Sequence, residues 1–250
     1  MALTYGTIFG DFGDEKVTGS TKLHRFATRM VLPDGRIYKY GLANGAIAAG
    51  AICQASATIG ADDMDVPLAS QASVGDKTIS VTAQGTIAED AYAEGYIYIN
   101  DSDGEGHIYT VRSNAAGTSS NTMVVTLEDG DTVAVATNST AATTLCGLSF
   151  NAYKDFIIYP TTTSGHAVGV TTTSVGDNEY AWLQTWGPAA VLCDVAFVPG
   201  NHVRVSDGTA GSGEPLDRDA SNENDETIGV AMKIAPVSTD YGLVNLTISP

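Results

Sequence analysis

Residues 179–205 read EYAWLQTWGPAAVLCDVAFVPGNHVRV, and no other stretch restricts the fold as much. It holds both tryptophans, Trp182 and Trp186, then the pair Gly187-Pro188, then an apolar run from Ala189 to Cys193. Gly-Pro and Pro-Gly are turn formers, so Gly187-Pro188 and Pro199-Gly200 read as turns between short strands. Two further apolar runs, residues 228–234 and 243–248, close the chain. Strands this short and this apolar must bury a face against a sheet partner. They define the core of one β domain, to which the N-terminal third returns.

The totals agree with that reading. Hydrophobic residues make up 43% of the 250 and charged residues 16%, a globular balance and not a disordered one. Glycine (27 residues) with abundant Thr, Ala and Ser favours short strands joined by turns. Twelve Lys and Arg against twenty-nine Asp and Glu give a net charge of −17, which repels phosphate backbones and argues against nucleic acid as a partner. Cys53, Cys146 and Cys193 are odd in number, far apart and set in apolar runs. They read as buried free thiols, not a disulfide framework or a metal site. The opening Met1-Ala2-Leu3-Thr4 starts no basic segment with an apolar core, so no secretory signal is expected. No apolar run reaches the roughly 20 residues of a membrane helix, so no membrane partner is expected either. On that basis the sequons at Asn138 and Asn245 are coincidental.

Taken in order, residues 1–30 form an extended arm. Tyr5, Ile8, Phe9, Phe12 and Phe26 are spaced by glycines and match neither a helical nor a strand period. Such an arm lies on its own domain as an edge strand or on a neighbour. Pro33-Asp34-Gly35 between apolar runs predicts a hairpin. Residues 41–54 predict two short strands around Ala48-Ala49-Gly50, because three glycines disfavour a helix there. The main β domain is expected over residues 31–61 and 145–250. Residues 62–144 carry a rhythm of their own, with strands at 78–82, 95–99, 107–111, 123–127 and 132–136. They predict an inserted small β-barrel module. The fold expected is therefore all-β: a sandwich or barrel-like domain, an extended N-terminal arm and the inserted barrel. Residues 206–226 read as a long acidic loop, with seven carboxylates and one cation, Arg218.

Chemistry is sparse. Asp101, Asp103 and Glu105 alternate on a glycine-rich loop, a spacing that presents oxygens to Ca²⁺, but the twelve-residue calcium loop is incomplete and a hairpin tip explains the same residues. His24, His107, His166 and His202 stand singly, without zinc-ligand spacing. Ala210-Gly211-Ser212-Gly213 lacks the nucleophile-elbow pattern, and Gly75-Asp76-Lys77-Thr78 lacks a phosphate loop's glycine-rich lead. No enzymatic activity, cofactor or metal is expected. Trp182 and Trp186 lie four apart, which on a regular strand puts both on one face, as core or as interface anchors.

Residues 24–40 (HRFATRMVLPDGRIYKY), residues 180–188 (YAWLQTWGP), and Ile228-Gly229-Val230-Ala231 with Tyr241-Gly242-Leu243-Val244 resemble virion structural proteins of tailed bacteriophages. More narrowly they are similar to head decoration (cement or minor capsid) proteins. The resemblance implies a protein assembled in a host cytoplasm that sits on the outer surface of the capsid. Its partners would be the major capsid protein and copies of itself, as a trimer. Contact candidates are Tyr5, Ile8, Phe9, Phe12, Phe26, Trp182 and Trp186. The alternative is a tail, fibre or spike component whose inserted module binds glycans through Tyr92, Tyr96, Tyr98 and Tyr109.

Overall fold

The computed structural model describes residues 6–56, 62–137, 144–216, 226–234 and 239–250. Tyr5, the Asn138 sequon, and Asp217, Arg218, Asp219, Glu223 and Asp225 of the acidic loop lie outside them. Strand accounts for 43% and helix for 1%, so the protein is all-β. The chain divides into two compact units, residues 1–57 with 152–250, and residues 58–151.

Four strands come first: β1 (Thr7–Phe9), β2 (Arg29–Val31), β3 (Ile37–Leu42) and β4 (Ile52–Gln54). Six follow in the second unit: β5 (Val66–Pro67), β6 (Thr78–Thr82), β7 (Tyr96–Asp101), β8 (Ile108–Asn114), β9 (Thr122–Leu127) and β10 (Leu145–Ser149). Seven complete the first unit: β11 (Ile157–Ile158), β12 (Ala167–Thr171), β13 (Tyr180–Leu192), β14 (His202–Val205), β15 (Gly213–Pro215), β16 (Thr227–Ala231) and β17 (Tyr241–Thr247).

The second unit is a nearly closed six-stranded barrel in the order β5-β10-β7-β8-β9-β6. Leu68, just past β5, bridges to Val81 of β6 and joins the two ends of the order. Alternation of buried and outward residues builds most of the interior. Ile79 faces Val125, Ile97 faces Tyr109, and Cys146 faces Ile99 in direct cross-strand register, and all six are buried. Residues 132–136, expected as a further strand, are irregular: Val133 donates to the Asp76 carbonyl and accepts from Gly75 N–H, so it plugs a turn and joins no ladder.

The first unit is built on β13. Its N-terminal half pairs with β3, from Tyr180 opposite Leu42 to Trp186 opposite Ile37, and meets β12 at Leu183 and Gln184. Its C-terminal half pairs with β17, from Trp186 opposite Thr247 to Leu192 opposite Tyr241. The full order is β1-β2-β3-β13-β17-β16-β14-β15, with β12, β4 and β11 branching from β13. Three core clusters meet along this one strand: Trp182 serves the first, Ala181 and Leu183 the second, Ala189 and Val191 the third.

The expected turn at Gly187-Pro188 is therefore corrected: the pair lies inside a thirteen-residue strand. Proline removes one ladder donor and Gly187 takes a φ of +85°, which bends the strand without ending it. The buried Gln184 amide donates to the Trp186 and Pro188 carbonyls at 3.2 and 2.8 Å and stabilises the bend. Part of the expected acidic loop is also ordered, since β15 pairs with β14 within it. All three cysteines are free and buried, and burial pushes the Cys146 thiol up to about 12 and the Cys193 thiol up to about 11.

Candidate functional site at the N-terminal edge

The described part of the arm, residues 6–30, is tied into its own sheet. β1 runs parallel to β2, and Gly10 N–H donates to the Val31 carbonyl at 3.1 Å. A single 3-10 turn, Asp14–Lys16, follows, and Gly19 then exchanges both backbone hydrogen bonds with Tyr180 of β13. Glu15 is buried at 3% exposure; its carboxylate accepts from Gly13 N–H at 2.6 Å, and the Arg36 guanidinium stands 3.9 Å away. Arg36 donates to the Tyr38 hydroxyl at 2.8 Å, and Tyr38 donates to Gln184 at 3.3 Å. Burial raises the Tyr38 pKa, so the phenol stays protonated within this chain of bonds. The arm is thereby fastened to the bend of β13.

Cross-strand rows sort the candidate anchors. Ile8, Met30, Tyr38 and Gln184 stand in one row across β1, β2, β3 and β13, and the last three are buried. Phe9, Val31, Ile37 and Trp186 form the next row, which faces the other way. Phe9 is 84% exposed, and Phe12, in the turn that follows, is 65% exposed. Phe26 stacks on Tyr180 with its centroid 6.3 Å away, beneath the Lys22 ammonium. Trp182 is buried against Tyr40 and His24, and burial lowers the His24 pKa. Trp186 is 36% exposed. The two tryptophans thus do not share an environment, because the β3–β13 register slips between Gln184 and Trp186. The structure places Ile8, Phe26 and Trp182 inward, and Phe9, Phe12 and Trp186 outward. Tyr5 is outside the described residues.

The face that carries Phe9 is half-buried away from that edge, with Ile37 only 6% exposed, and it holds two cations. Arg29 and Lys39 are directly opposed across β2 and β3, two residues from Val31 and Ile37 and so on the same face. Among the described residues neither meets a carboxylate in an ion pair. Burial, then the adjacent Arg29, holds the Lys39 ammonium below its usual pKa. Like charges in direct cross-strand register are unfavourable unless an anion answers them. The pair belongs to a wider imbalance: residues 6–41 hold six of the twelve Lys and Arg and four of the twenty-nine Asp and Glu. Sequence reasoning on net charge missed this, although counting charge along the chain reveals it.

The other candidates disperse. Asp101 accepts from Ser102 N–H at 2.7 Å, and Gly106 N–H donates to the Ile99 carbonyl, which makes residues 101–107 a hairpin tip. Among the described residues no three His, Cys, Asp or Glu side chains form a metal-ligating group, so Asp101, Asp103 and Glu105 do not converge. Tyr92 stacks on Phe150 inside the barrel, and Tyr109 is buried with its hydroxyl accepting from Ala134 N–H at 3.1 Å. Tyr98 donates to the Asp63 carbonyl at 2.8 Å, which leaves Tyr96 as the exposed tyrosine of the four.

Comparison with protein-family models, with curated proteins and with solved structures gives no match for this chain.

Proposed function

We propose that this protein is a head decoration protein of a tailed bacteriophage, which binds the outer surface of the major capsid lattice and stabilises the head. It works by fit, and its N-terminal edge docks onto an adjacent subunit. The observation that carries this reading is the pair Phe9 and Phe12, presented 84% and 65% exposed at a sheet edge whose backbone is fixed from behind. Large aromatics at a rigid, solvent-facing edge are what protein interfaces use as anchors. The excess of acid over the rest of the chain suits an outer surface more than one facing packaged DNA. Repetition over a lattice multiplies modest contacts into durable occupancy.

The test is particle composition. The chain should be found by mass spectrometry in purified virions. A Phe9→Ser/Phe12→Ser variant, shown by circular dichroism to keep its fold, should lose occupancy by about tenfold or more. Absence from particles, or unchanged occupancy of the double variant, defeats the proposal.

A further inference from the structure

Asn44-Gly45 is the only Asn-Gly pair in the sequence. Glycine has no Cβ to shield its backbone nitrogen, so an asparagine that precedes one is the most open to attack by that nitrogen on its side-chain carbonyl. The fold leaves this pair open. Asn44 is exposed, and among the described residues its side-chain amide has no hydrogen-bond partner. Gly45 takes a φ of +105°, and nothing stands within 4 Å of the place a Cβ would occupy. Other asparagines are tied down: the Asn114 amide donates to the Ala88 and Ala115 carbonyls, the Asn151 amide to the Glu94 carbonyl and the Asn100 amide to Asp65. Asn245 lies within β17 and is followed by the buried Leu246.

Asp177 completes the arrangement. Its Oδ1 accepts from Gly45 N–H at 2.8 Å, and its Oδ2 accepts from the Asn178 amide at 3.0 Å. The carboxylate thus lies within the reach at which a general base takes a proton, and it is held there from its other oxygen. Glu179 adds a second carboxylate to the same loop, accepting from Gly176 N–H at 2.8 Å. Backbone bonds clasp the two loops together. Ala43 N–H donates to the Glu179 carbonyl, Asn178 N–H donates to the Ala43 carbonyl, and Ile47 and Val175 exchange both bonds. Ala43, Ile47 and Val175 share a core cluster with Ala181 and Leu183 of β13, so the clasp sets packing against the central strand.

We propose that Asn44 is a self-modification site, at which the Gly45 nitrogen attacks the Asn44 side-chain carbonyl carbon while Asp177 takes the Gly45 proton. The new bond closes a succinimide ring, the carbon–nitrogen bond of the side-chain amide breaks, and the amide nitrogen leaves with that proton as ammonia. Water then opens the ring at either carbonyl and gives aspartate or isoaspartate at position 44. Water is the sole co-reactant and ammonia the sole by-product. Either outcome places a new carboxylate beside Asp177 and Glu179, where like charges repel. Isoaspartate also lengthens the backbone between Ala43 and Ile47, which then cannot both keep their partners on residues 175–179. The conversion is a slow, one-way loosening of the clasp beside β13. It is independent of what the N-terminal edge docks onto.

Peptide mapping of the full chain aged at neutral pH tests this, with the amide-to-acid mass gain and the isoaspartyl content read at each asparagine. Asn44 should convert ahead of every other asparagine. Asp177→Asn, with native tryptophan emission as proof of its fold, should slow that conversion by about tenfold or more. The wild type aged in guanidinium chloride makes the same comparison without a variant. Asp177 stands 132 positions away and meets Gly45 only in the folded chain, so unfolding should slow Asn44 as well. Asn44→Asp, which carries the product's charge from synthesis, should have a lower urea midpoint than wild type, and Asn44→Gln should not. Earlier conversion at another asparagine overturns the proposal. So does an Asn44 rate that is unchanged or faster in folded Asp177→Asn or in the unfolded wild type, since the carboxylate would then be idle or a shield. An Asn44→Asp protein as stable as wild type overturns the loosening of the clasp.

Discussion

Gly229 lies on β16 opposite Leu246 of β17, and a Cβ on it would run into the carbonyl oxygen of Asn245. The obstacle is backbone in a paired strand, which cannot swing aside as a side-chain tip does. Gly229→Ala should therefore destabilise the first unit by about 1–3 kcal/mol, read as a fall in the urea midpoint at constant slope. A midpoint equal to wild type would mean that β16 and β17 part more easily than their register implies. The sequence marks Gly229 only as a glycine in an apolar run, since the close approach is made by a residue sixteen positions later. The tryptophans teach the same lesson. Even spacing places Trp182 and Trp186 on one face of a regular strand, but one slipped register leaves the first buried and the second exposed. Composition identified the residues that matter, and long-range pairing decided which way each one points.

Among the elements, turns written in local chemistry were legible. Pro33-Asp34-Gly35 makes the hairpin it predicts: Gly35 takes a φ of +84°, and Leu32 N–H donates to the Arg36 carbonyl across the turn. Gly187-Pro188 carries the same kind of signal and yet stays within β13, because its stability comes from partners far along the chain. β3 holds one half of the strand and β17 the other, while Gln184 satisfies the carbonyls at the bend from within. Replacing that amide isolates its contribution. Gln184→Leu keeps the bulk but strands the half-buried Trp186 and Pro188 carbonyls and removes the acceptor of the Tyr38 O–H, which keeps its bond from Arg36. The expected cost is about 2–4 kcal/mol by denaturant unfolding, since each unsatisfied polar group costs about 1–3 kcal/mol and some recover a bond to water. The emission of Trp186, measured in a Trp182→Phe background, should shift with it. A stable Gln184→Leu protein with unchanged emission would show that the bend holds itself.

At the scale of the molecule, most of the barrel was legible, although the boundary expected at residue 145 left its strand β10 (Leu145–Ser149) in the main domain, and the charge layout was not legible. Alternating runs such as Thr78–Thr82 advertise their buried face directly, whereas a net charge of −17 hides a cation-rich edge. Each of the two compact units builds its core from its own residues. The barrel core draws on residues from Val66 to Leu148, with Phe150 packed against it, and the other three clusters draw wholly on residues of the first unit. Within the first unit, Gln54 of β4 pairs with Ile157 of β11, so the chain leaves and returns along one strand pair and a short Gly/Ser linker suffices to rejoin it. Residues 58–151 expressed alone should consequently unfold in one cooperative transition, being long enough to bury a core of their own. The chain with those residues replaced by the linker should keep native tryptophan emission, and because Trp182 and Trp186 both belong to the first unit, that signal reports on it alone. A barrel without a cooperative transition, or a linker variant with solvent-exposed tryptophans, would make the two units a single folding body.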